Sequence, residues 1–222
     1  MTDPGGTSEI EPGQPEDAPR RRRWGAMVVA IIGFLAVAAG ATFFLLGRPG
    51  PTFEALLTAT ETAETDRIWF DYFTAQECFA TAVLDLGDPD IAYQDGLDLL
   101  DHTDRMLAHV TSSLERLNGV TVQNWHSEIA GARDAISAHY LVWEQHLRAL
   151  DTILVGLNND ISDLALLFDE WVDEVIEAGT PIEDTYNEAK EAFLAAAPGE
   201  DYRREIEQLF TPSSVDCTRG AV

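Results

Sequence analysis

The chain has 222 residues, 45% of them hydrophobic, and carries 39 acidic against 14 basic side chains, a formal net charge of −25. Residues 1–48 balance five acids against five arginines, so the whole acidic surplus lies downstream of them. A surface that acidic repels nucleic-acid phosphates and anionic headgroups, which excludes nucleic-acid binding and leaves basic partners or cations.

The chain opens with a Gly-, Pro- and acid-rich stretch that has almost nothing apolar to bury, and then Arg20-Arg21-Arg22-Arg23 and Trp24. Residues 26–46 carry no charge, and at 1.5 Å per residue these 21 residues span about 30 Å, the thickness of a hydrocarbon core. Gly47-Arg48-Pro49-Gly50-Pro51 then stops the run. The arginines ahead of the apolar run predict a cytoplasmic N-terminus and an exported remainder. The expected organisation is a disordered tail over 1–23, a single transmembrane helix over 24–47, a hinge over 48–51 and an acidic extracytoplasmic domain over 52–222. An alternative is secretion after signal cleavage, since Ala36-Val37-Ala38 and Ala39-Gly40-Ala41 have the small-x-small form of cleavage sites. Gly33, Ala36 and Gly40 fall near one stripe of the apolar helix, which raises a homodimer through the membrane as a further expectation.

Two cysteines, Cys78 and Cys217, are present, and neither belongs to a CxxC. In an exported domain they are expected to form a disulfide. The chain-entropy model values so long a loop at roughly 4–5 kcal/mol.

Strand signals are nearly absent, and the exported part reads as all-α. A first helix is expected over about 52–84, with a polar stalk at 58–66 and then an aromatic face of Trp69, Tyr72, Phe73 and Phe79. After Gly87-Asp88-Pro89-Asp90 comes a second helix, 90–117, stopped by Asn118-Gly119. Asp88, Asp90 and Asp95 lack the third ligand and closing Glu of a calcium loop and read instead as a cap for that helix.

The third helix has the clearest pattern. Trp125, Ile129, Ala132, Ile136, His139, Trp143, His146, Leu150, Ile153 and Leu157 alternate by four and three, the seam of a coiled coil or bundle. A fourth helix, with Leu164, Phe168, Trp171 and Ile176 on its apolar face, is expected to end at Gly179. Thr180-Pro181-Ile182-Glu183 has the form of a new helix start. That fifth helix ends before Pro198-Gly199, and a short sixth covers 200–210. Long helices with short links predict an up-and-down bundle of about four long helices plus one or two short ones at the end.

Histidine placement is the feature a plain bundle does not require. His139 and His146 lie in the seam two turns apart, and His102 and His109 repeat that spacing at the edge of the second helix. A hairpin about Gly119 would set His102 level with residue 137. His102, His139, His146 and Asp98 are then candidate ligands for a metal or small molecule. The Glu-x-x-His of carboxylate-bridged metal bundles is missing.

No GxSxG, HExxH, P-loop or GxGxxG occurs, so a non-enzyme without cofactor is expected. In layout alone, an anchor followed by a helical bundle resembles the sensor domains of bacterial receptors. The reading is a membrane-anchored interaction or accessory module with an unknown protein partner, and the alternative is a metal- or ligand-binding bundle.

Overall fold

A computed structural model of the chain describes residues 49–86, 88–158 and 164–211. These residues are almost entirely helical, and no strand occurs among them. The apolar run at 26–46, the residues before it and Cys217 lie outside the described residues. Among the described residues no helix is long and apolar enough to cross a membrane.

Among the described residues six α-helices follow in order: α1 (Pro49–Glu64), α2 (Arg67–Thr81), α3 (Pro89–Gly119), α4 (Ser127–Leu154), α5 (Leu164–Ala196) and α6 (Glu200–Leu209). A π turn, Ala82–Leu86, extends α2, and a 3-10 turn, Val155–Asn158, extends α4. Several boundaries have local causes. The Asp88 carboxylate accepts from the amides of Asp90 (3.0 Å) and Ile91 (3.3 Å), and Pro89 opens α3 where no N–H is needed. Gly199 precedes α6, whose first turn carries Glu200 and Asp201, a charge suited to the positive end of the helix.

The structure corrects the expected elements in three places. The helix expected over 52–84 is two helices, because the Asp66 side chain turns back to cap the Ile68 amide at 3.0 Å. The stretch before the break is no stalk: Thr60 and Ala63 are buried. Thr60 tolerates burial because its hydroxyl donates to the Leu56 carbonyl of its own helix at 3.0 Å.

The break expected at Gly179-Thr180 is absent, and α5 runs unbroken with Pro181 inside it. Contacts with α4 on both sides of Pro181 outweigh the amide that proline cannot supply. His146 meets Glu174 before it and His139 meets Thr185 after it. Finally, Trp125 precedes α4 and is exposed, and Ile176 lies on the outer side of α5, so neither belongs to the packed seam.

Aromatic contacts fix the directions. Phe53 of α1 meets Phe193 (6.0 Å between ring centres) and Phe79 of α2 meets Phe168 (5.6 Å), so α1 and α2 form one broken column antiparallel to α5. The column is also antiparallel to α3: Ala63 lies beside His109, and Phe79 beside Gly96. It runs parallel to α4, with Glu64 at Tyr140 and Tyr72 at Trp143. The result is an up-down-up-down bundle around a core that includes Phe53, Tyr72, Leu99, Ile136, Leu147 and Phe193. Helix α6 folds back along α1, with Tyr202 against Phe53 at 5.4 Å.

Candidate functional site

The break between α1 and α2 opens polar chemistry inside the bundle. Where a helix ends, its last carbonyls lose their amide partners and must find others. The Ala63 carbonyl accepts two side-chain donors, Trp69 Nε1 at 2.8 Å and His109 Nε2 at 2.9 Å. A carbonyl can only accept, so His109 carries its proton on Nε2. Its Nδ1 then faces Asp66 Oδ2 at 3.7 Å.

Glu64, in the last turn of α1, turns its carboxyl into the bundle. Tyr140 donates its hydroxyl to Glu64 Oε1 at 2.6 Å. Burial pushes the Glu64 pKa up, and the Tyr140 hydrogen bond offsets part of that rise. The Tyr140 hydroxyl is itself driven well above its ordinary value, by burial first and by the Glu64 charge second. Tyr186 on α5 is pushed up to about 12 by burial and then by Glu64. Arg116 on α3 supplies the opposing positive charge felt by Tyr140.

The two seam histidines belong to the α4–α5 interface. The Thr185 hydroxyl has one proton, and it donates to the Pro181 carbonyl at 2.8 Å. Its oxygen therefore accepts from His139 Nδ1 at 3.1 Å. Burial lowers the His139 pKa to about 4, against a smaller upward pull from the Ile182 backbone. His146 Nδ1 lies 2.9 Å from Glu174 Oε1. Burial lowers its pKa as well, and Glu174 pulls the other way. Trp143 separates the two rings, with its centre 6.5 Å from His139 and 5.8 Å from His146.

The four expected metal ligands are not gathered. His139 and His146 point at α5, whereas His102 and Asp98 line a surface groove of about 310 Å³ between α2 and α3. Within that groove His102 Nδ1 accepts from Arg105 Nη1 at 3.2 Å. Among the described residues no group of three or more His, Cys, Asp or Glu side chains could hold a metal ion.

The hairpin register explains the separation. Gly96 of α3 meets Leu157, and Asp104 feels Asp151, so His102 is level with the turn around residue 153 rather than 137. Residues 120–126 form a real link instead of a tight reversal at Gly119, and the helices slide by several turns. Of the two α3 histidines, His109 is the one that turns toward α1. Its spacing from His102 marked it in the sequence, but its partner, the Ala63 carbonyl, exists only because α1 stops there.

The α2–α3 groove also gathers Arg67, Phe70, Asp71, Cys78 and Asp95. Among the described residues no cysteine is free. Comparison of the chain with protein-family models, with curated proteins and with solved structures finds no match.

Proposed function

We propose that the chain is a single-pass membrane protein whose acidic helical bundle lies in an extracytoplasmic compartment and serves as a non-enzymatic module that docks a protein partner. The uncharged run over 26–46 behind four arginines supports the anchor and the orientation. The observation that carries the docking reading is the location of exposed apolar side chains. Leu84 (70% exposed), Ile91 (38%), Val155 (44%) and Leu166 (61%) lie at the end of α2, the start of α3, the end of α4 and the start of α5. In an up-down-up-down bundle these positions share one end, opposite Pro49, where the chain enters. Exposed apolar groups concentrated in one region mark interaction surfaces. Asp88 and Asp90 are exposed at the same end, so the fitting partner presents an apolar patch bordered by Lys or Arg.

The test uses the full chain in its native membrane with a photo-crosslinker placed at residue 88. A discrete adduct is expected. It should be lost on Leu84→Lys combined with Leu166→Lys, kept on Leu141→Lys (an exposed apolar residue in the middle of α4, 48% exposed), and weakened by salt. An adduct indifferent to the paired Lys substitutions contradicts the proposal.

A further inference from the structure

We propose that the end of the bundle where the chain enters seats on the surface of its own membrane, with the Trp125 indole in the lipid headgroup layer. This contact rests on the anchor proposed above and adds a lipid surface to it. Reach comes first. Residues 47 and 48 alone separate the apolar run from Pro49, the first residue of α1. Three peptide steps span at most about 11 Å, and the headgroup layer is roughly 5–8 Å deep on each side. The anchor therefore holds the start of α1 close to the lipid surface. Register comes second. Glu64 of α1 meets Tyr140 of the parallel α4. Counting back equally from that contact reaches Pro49 on α1 and Trp125 just ahead of α4. Trp125 is 58% exposed, the most exposed aromatic ring among the described residues, whereas Trp69, Trp143 and Trp171 pack in or against the core. An indole has an apolar body and a polar N–H, which is why tryptophan favours the boundary between lipid and water.

Charge is the third observation. Level with residues 49–57, Arg116, Arg133, Lys190, Arg203 and Arg204 nearly balance the acids. The other bases among the described residues are Arg67, Arg105 and Arg148, so the acidic surplus is carried farther up the bundle. The acids nearest the entry end, Glu128, Glu200 and Asp201, stand in the first turns of α4 and α6, where a positive helix end meets them. Arg204 also pairs with Asp201 at 2.9 Å. The balanced zone is about 12 Å deep, more than the Debye length of about 8 Å at physiological salt. The acids above it are therefore screened from anionic headgroups, and the bundle stands on its entry end with Leu84 and Leu166 at the far end, in solvent.

The test uses the full chain reconstituted into phosphatidylcholine vesicles, with and without bromine atoms on the upper acyl chains. Bromine quenches indole fluorescence only at close range. Trp24→Phe removes the tryptophan beside the apolar run, and Trp69, Trp143 and Trp171 are packed within the bundle, so the quenching that remains reports Trp125. The Trp24→Phe chain should be quenched by brominated lipid, and adding Trp125→Phe should abolish that quenching. Adding Leu166→Trp to both should not restore it, because residue 166 lies at the far end. A chain that floats with the vesicles and resists an alkaline wash, yet shows no quenching in its Trp24→Phe form, overturns the surface contact and leaves the anchor standing. Quenching restored by Leu166→Trp overturns the contact through the entry end. A chain stripped from the vesicles by the alkaline wash overturns the anchor, and the surface contact with it.

Discussion

A buried carboxyl group costs most when it is charged, and Glu64 is held among Tyr140, Tyr186 and the last turn of α1. Its folded pKa is raised, so its favourable contribution is complete below its ordinary value near 4.5 and is lost as pH rises through the folded value. Glu64→Gln keeps an acceptor for Tyr140 and removes the titration. The variant should therefore gain stability relative to the native chain as pH rises from 4 to 8, followed by urea unfolding at each pH. A constant difference would show that Glu64 is not buried as described. Tyr140→Phe strips the carboxyl of its donor and should cost about 1–3 kcal/mol near neutral pH. His139 has the opposite sign. Its folded pKa is depressed to about 4, so its contribution is intact above about 6.5 and lost as pH falls toward 4. On the order of 3 kcal/mol is at stake over that window, and His139→Gln should flatten the acid limb of the stability profile.

Among the elements, α5 carries an internal Pro181, and α4 holds it on both sides through His146–Glu174 and His139–Thr185. Pro181→Ala returns an amide donor to the helix and should stabilise the protein by about 1–3 kcal/mol, read as a higher unfolding midpoint. A drop would mean that the proline ring itself packs. Two glycines give a matched pair. A methyl group at Gly96 would come within 2.7 Å of Leu157 and 3.1 Å of Phe79, whereas one at Gly131 meets nothing within 4 Å. Gly96→Ala should destabilise by about 1–2 kcal/mol through overpacking. Gly131→Ala should stabilise by about 0.5–1 kcal/mol through helix propensity. These contrasts also show what sequence reasoning can reach. Asp88-Pro89 and Pro198-Gly199 act locally and were legible. The capping pattern at Thr180-Pro181 is equally local but loses to tertiary contacts with α4, which no local pattern reports. The Asp66 cap, conversely, sat unread inside a polar stretch that lacked any Gly or Pro.

For the whole molecule, the apolar faces of the long helices were enough to imply a bundle, because period-3.6 stripes must be covered. Register was beyond reach. A slide of several turns between α3 and α4 preserves every apolar stripe, yet it decides whether His102 approaches His139 or the α2–α3 groove. The same limit hid the polar cluster at Ala63, since its members come from α1, α2 and α3 and meet only in the folded bundle. The proposal as a whole depends on the side of a membrane to which the bundle is delivered. Protease added to sealed, intact cells tests it most directly, with an antibody tag placed ahead of residue 20 and a second tag after residue 222. The account predicts a membrane-bound fragment that keeps the first tag and has lost the second. An intact chain with both tags protected, released into the soluble fraction on lysis, would contradict it.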